Sequence, residues 1–168
     1  MSTSVFVYNG KLPEEKIHQR MAELSEKIRY RFKDISWLKK AFYTGIETDT
    51  NVEKYANSPM ATLGDRVLSL IITEKLFDEG KTSGEITTTK SCAESNDRWR
   101  EISIKHDLRQ YAFNDEYFFY RAPKHEQLPH GKHDRYFEAL AAAVYKDSSS
   151  IQQTAQILMI FLEIKNIA

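Results

Sequence analysis

Apolar residues recur at Ile17, Met21, Leu24 and Ile28, with Glu and Lys between them. That spacing puts one apolar stripe on a helix, and Pro13 stands where such a helix can start. Ser36 is placed to cap a second, shorter helix carrying Trp37, Leu38, Ala41 and Phe42. Residues 45–59 are polar and end in Pro, which predicts mostly loop. From Met60 the pattern changes. Leu63, Val67, Leu68, Ile71, Ile72 and Leu76 spread over a wide arc, as in a central helix, and Gly80 stops it. Thr82 and Glu85 have capping-box spacing and open a helix predicted to run through Trp99 to about Ile104. Asp107 to Tyr111 is one more short helix. Residues 112–133 carry Pro123, Pro129 and Gly131 and read as a long connection, a feature usually functional or mobile in a compact domain.

Phe137, Leu140, Ala141, Val144 and Tyr145 form the next helix. Ser150 and Gln153 make a second capping-box candidate. Ile151, Ala155, Leu158, Met159 and Leu162 line the last helix. Residues 1–12 read as a tail, or a short extended segment around Val5 and Val7. The expectation is an all-α bundle of six or seven helices without a sheet, with a tail over 1–12 and a single domain over 13–168. Periodicity alone goes no further than a helical domain.

Composition narrows the classes without choosing among them. The chain has 168 residues, enough for one core. Lys plus Arg equals Asp plus Glu at 24 each, which argues against a tight binder driven by global charge and leaves room for a local basic face. The lone cysteine, Cys92, excludes an internal disulfide, fits a reducing compartment, and is expected to be a small buried hydrophobe. The first residues lack the pattern of a signal peptide. No apolar run is long enough to cross a membrane. The expected location is therefore the cytoplasm.

Three segments carry more. They are Leu63-Gly64-Asp65-Arg66-Val67-Leu68; then Gly84-Glu85-Ile86-Thr87, followed by Lys90-Ser91 and Asn96; then Phe137 through Asp147, reading FEALAAAVYKD. In order and spacing they resemble the ribonuclease III catalytic domain, over roughly residues 35–165. In that family a signature N-E-R-L-E-F-L-G-D precedes a G-E-L-T helix start and then D-x-x-E-A-L-x-x-A-[IV]-Y-x-D. The third segment is the most specific and the LGD of the first the least. The resemblance implies an all-α bundle that pairs through its signature helix as a homodimer, and acidic residues that bind Mg2+ (or Mn2+) in a valley holding double-stranded RNA. The ions would serve in-line attack on a phosphodiester.

Carried over position by position, the signature's Asn is Asn57, its two Glu positions are Ser58 and Ala61, and its Leu-Gly-Asp is Leu63, Gly64 and Asp65. The acid before the G-E-L-T glycine is Ser83. In D-x-x-E the Glu is Glu138 and the Asp is Arg135. Asp65 and Glu138 are thus the implied catalytic and metal-holding residues. Asp134, beside Arg135, is a third candidate ligand, sharing a helix face with Glu138 if the helix has begun by then. Each has a plainer alternative: an exposed helix carboxylate for Glu138, an ion pair with Arg66 for Asp65, a helix cap for Asp134. Arg135 could instead pair with Asp65 and occupy the ion's place.

Lys90, Arg98 and Lys132 are candidate RNA contacts, with Arg100 and Lys105 nearby; such charges otherwise form a solvated face. His125, His130 and His133 sit in one loop but match no standard zinc spacing. Tyr117-Phe118-Phe119-Tyr120 is either a stacking platform for bases or, by preference, a buried edge. The chain stops soon after its last helix, so no double-stranded-RNA-binding domain is expected. Together these point to a metal-dependent endoribonuclease with a weakened site. The rival is an inactive module of the same fold serving as an RNA-binding or scaffold component.

Overall fold

Gly64 has no room for a side chain, and the architecture is arranged around that fact. In the computed structural model, which describes residues 12–47, 54–93, 96–116, 118 and 135–162, the elements run α1 (Glu14–Lys27), α2 (Ser36–Phe42), β1 (Ile46–Glu47), β2 (Lys54–Tyr55), α3 (Ser58–Asp78), α4 (Ser83–Ala93), α5 (Asn96–Lys105), a 3-10 turn (Leu108–Tyr111), α6 (Tyr136–Ser148) and α7 (Ile151–Leu162). Helix α3 packs most extensively on α6, and α2 and α7 also lie against α6. A Cβ built on Gly64 would stand 1.5 Å from the carbonyl oxygen of Glu138, so only glycine lets the two backbones meet there.

Sequence explains the burial of α6. Its run of Ala139, Ala141, Ala142 and Ala143 with Leu140 and Val144 is fully covered, because small side chains let helices close in on several sides. Helix α3 buries Val67, Leu68, Ile71, Ile72 and Leu76 against it. The capping signals are realised. Thr82 N donates to Glu85 Oε2 at 2.7 Å and Glu85 N to Thr82 Oγ1 at 3.2 Å, the reciprocal box. Gln153 N donates to Ser150 Oγ at 3.0 Å. Gly80 ends α3 with φ +78°, in the left-handed turn that favours glycine.

Several boundaries differ from expectation. Ser36 is the first residue of α2 and not its cap; Ile35 is, and Asp34 Oδ1 accepts from Ser36 N at 3.0 Å. Pro59, read as closing a loop, sits in the first turn of α3, where its missing N–H costs nothing. Inside the expected loop lies a two-residue antiparallel ladder, Ile46 with Tyr55 and Glu47 with Lys54. The helix expected from Thr82 to Ile104 is described in two stretches, α4 and α5, with residues 94–95 outside the described residues. The second stretch buries Trp99 and Ile102. Leu12, assigned to the tail, is buried in the core. The remainder of the tail, with Val5 and Val7, lies outside the described residues.

Candidate active site

The Gly64–Glu138 crossing joins the backbones of the two helices that carry the candidate carboxylates. Asp65 follows Gly64 on α3, and Glu138 supplies the carbonyl that Gly64 touches. Glu138 is only 2% exposed, so it is not the solvated helix carboxylate that was its plainer alternative. An ionisable group is costly to bury, and such positions are candidates for function. Asp65 is half-buried, and its Oδ1 accepts from the indole Nε1 of Trp99 at 3.3 Å. Trp99 is itself fully buried on α5, its ring 5.6 Å from that of Phe137. The indole is thus fixed by packing and holds one oxygen of Asp65. Nothing in the local spacing links Trp99 with Asp65, because they lie on different helices; only the fold joins them.

The neighbouring signature positions have structural tasks. Asn57 is buried, and its Nδ2 donates to the Ala41 carbonyl at 3.1 Å, pinning the start of α3 to α2. Ala61, one turn before Asp65 on the same face, is fully buried. Ser83 and Thr62 are exposed, and Ser58 is half-buried. Arg135 is half-buried at the start of α6 with no side-chain cap bond. Among the described residues no ion pair joins Asp65 to Arg135 or to Arg66. Asp134 and Lys132 lie outside the described residues, as do His125, His130, His133, Tyr117, Phe119 and Tyr120. Phe118 is buried, 5.9 Å from the Phe113 ring, as an edge packed on the core.

Lys90 is half-buried on α4. Arg98 is half-buried on α5, and its Nη2 donates to the Leu162 carbonyl at 3.1 Å, capping the end of α7. Arg100 pairs with Asp97 at 3.3 Å. The basic residues expected along one helix therefore divide between two, and Arg98 has a structural partner. The side chains of Cys92 and Asn96 lie outside what is described.

Magnesium takes oxygen donors in a near-octahedral array. Asp65 and Glu138 offer donors of the right kind from two helices, and Asp134, the third candidate, lies outside the described residues. Among the described residues no group of three His, Cys, Asp or Glu side chains gathers. Ala61 has no oxygen to give, and Arg135 places a cation one turn before Glu138.

The same segment of chain decides the family. The ribonuclease III domain model matches residues 58–149, from the first turn of α3 to the end of α6. The chain belongs to the ribonuclease III family. Among its relatives, Ribonuclease 3 of Caldanaerobacter subterraneus subsp. tengcongensis is 34% identical over 148 residues, which covers 84% of this chain and 62% of that protein. The Endoribonuclease Dicer homolog 3 of Arabidopsis thaliana is 29% identical over 102 residues, 60% of this chain and 6% of that one. The chain thus spans less than two thirds of the length of either relative. The fold matches the nuclease domain of ribonuclease III from Campylobacter jejuni in two solved structures. Their TM-scores are 0.65 and 0.66 at 18% identity, over 85% and 86% of this chain and 96% and 95% of theirs. The all-α ribonuclease III bundle expected from the three motifs is the fold observed.

Proposed function

We propose that this ribonuclease III domain acts on double-stranded RNA as a homodimer, with slow, metal-dependent endonucleolytic cleavage that relies on Asp65 and Glu138. One observation supports the reading: the Gly64–Glu138 crossing packs the backbones of α3 and α6 together where Asp65 follows Gly64 and Glu138 sits buried on α6. Asp65 and Glu138 would hold Mg2+ (or Mn2+), with Asp134 as the further candidate. A divalent ion, when bound, supplies activation of water and stabilisation of the leaving oxygen. The chain's own part is positional. Trp99 orients the Asp65 carboxylate, and the buried backbone of α6 keeps Glu138 from moving. Lys90, Arg98 and Lys132 are the proposed phosphate contacts. A reducing, cytoplasmic setting suits the single cysteine.

The second reading is an inactive RNA-binding or scaffold module, favoured by the full burial of Ala61 and the cation at Arg135. A manganese titration of hairpin cleavage separates the two. Wild type is expected to cut slowly, and Glu138→Gln to reduce cutting to background. Arg135→Asp removes the repelling charge and supplies a helix-capping side chain. It should speed cleavage, bind manganese more tightly and stabilise α6 by about 1 kcal/mol. Equal cutting by wild type and Glu138→Gln would mean the carboxylate assignment is wrong. A wild type that binds duplex but never cuts supports the inactive module.

Self-association has its own support. Leu70 and Phe77 lie seven residues apart on α3 and are 48% and 71% exposed, an apolar pair facing outward. The solved Campylobacter jejuni domain has a region involved in dimer formation. Sedimentation at tens of micromolar should show a dimer, and Leu70→Glu with Phe77→Glu should shift it to monomer. A wild-type monomer under those conditions counts against pairing.

A further inference from the structure

A second surface, remote from Glu138, is built to meet phosphates. The chain carries equal numbers of basic and acidic residues overall, yet Lys27 to Lys40 reads KIRYRFKDISWLKK, six basic residues against the one acid Asp34. Within it the character alternates. Ile28 and Tyr30 are buried and Phe32 is half-buried, whereas Arg29, Arg31 and Lys33 are exposed. The apolar set thus anchors the loop and the basic set faces water. Among the described residues none of Arg29, Arg31 and Lys33 forms an ion pair.

The loop is held from beneath. Asp147, buried near the end of α6, accepts from Tyr30 Oη at 2.6 Å, Lys33 N at 2.9 Å and Asp34 N at 2.8 Å. Arg29 takes φ +56° just past the end of α1, a conformation ordinarily left to glycine. Beside it opens a groove of about 530 Å³ lined by His18, Glu26, Arg29, Arg31, Phe32 and Ile35 among others. Two guanidinium groups against the one carboxylate of Glu26 leave the groove positive, which suits the phosphates of a nucleotide strand. Trp37 extends the basic character, with Lys40 Nζ 4.8 Å and Lys146 Nζ 5.3 Å from its ring centre.

We infer that the α1–α2 loop is an RNA-backbone contact in which Arg29, Arg31 and Lys33 take phosphates of one strand. Asp147 lies nine residues beyond Glu138 on α6, about 14 Å along the helix, so this surface is separate from the proposed cleavage site. The inference rests on the RNA reading above but not on cleavage or on duplex preference.

The experiment measures binding of a labelled RNA hairpin and of an unstructured RNA across a KCl series. It compares wild type, Arg29→Ala with Arg31→Ala, the matched Arg→Lys pair, and a distant control, Lys16→Ala with Lys81→Ala. The alanine pair should weaken binding about tenfold or more and lower the slope of log K against log salt by about two. The lysine pair should keep the slope, the control should match wild type, and circular dichroism should be unchanged. An alanine pair with wild-type affinity and slope overturns the contact, even where duplex is preferred. Loss in the alanine pair with equal binding of both RNAs upholds the contact and overturns the duplex preference. Wild type that ignores RNA and binds anionic phospholipid vesicles overturns both.

Discussion

Gly64→Ala should destabilise the domain by about 3 kcal/mol or more, the upper range for forcing atoms into a packed site. Elsewhere in a helix the same change gains up to about 1 kcal/mol. Here the new methyl would lie 1.5 Å from the Glu138 carbonyl oxygen and 2.4 Å from its carbon. Neither atom belongs to a side chain that can turn away, so α3 and α6 must part. Urea unfolding should show a lowered midpoint at unchanged slope. Gly84→Ala is the natural comparison. Nothing lies within 4 Å of a Cβ there, so it should leave stability unchanged or raise it by a few tenths of a kcal/mol. Because Asp65 and Glu138 ride on the crossing, Gly64→Ala should also weaken manganese binding at temperatures where the variant stays folded. A variant as stable as wild type would show that the crossing is not the closed contact described.

The second large effect is expected at Asp147. Its carboxylate serves one phenol and two backbone N–H groups, and hydrogen bonds to a charged acceptor are the stronger kind. Asp147→Ala should cost about 3 to 5 kcal/mol, since three donors lose their acceptor in a partly closed site. Asp147→Asn keeps one acceptor and should cost less. Burial pushes the Tyr30 phenol well above its ordinary value of 10.0, and the hydrogen bond and charge of Asp147 push it further. Folding therefore favours the protonated phenol. That contribution is complete below pH 10 and is lost as pH climbs beyond it. Absorbance titration should find the Tyr30 phenol ionising at lower pH in Asp147→Ala than in wild type, while burial still holds it above its ordinary value. Identical titration curves would show that Asp147 does not act on the phenol.

Much of the fold was legible because its signals are local. The wide apolar arc of α3, the stop at Gly80 and the Thr82–Glu85 box each depend on residues within a few positions of one another. The burial of Trp99 was legible only as apolar character, because what covers it comes from distant α6. The site was half legible. Asp65 and Glu138 follow from the motifs, and the close approach of α3 to α6 beside them is seen only in the contact at Gly64. Trp99 could not be linked to Asp65 without the fold. Asp147, which closes the third motif beside residues of chemical interest, proves to anchor a loop. The basic run from Lys27 to Lys40 drew no notice in the sequence, because its division into exposed Arg and Lys and buried Ile and Tyr appears only in the fold.

The tie from Tyr30 to Asp147 spans 117 residues, and this bears on how the chain is made. At about 5 to 20 residues per second of synthesis, the α1–α2 segment waits on the order of 10 seconds before its anchor exists. During that interval Tyr30 and Phe32 have no native pocket, and the neighbouring positive charges help keep so apolar a segment in solution. Final closure is a late event of long sequence separation, which slows folding relative to helical domains of local contacts. The N-terminal helices should therefore gain protection from hydrogen exchange only after α6 has been synthesised.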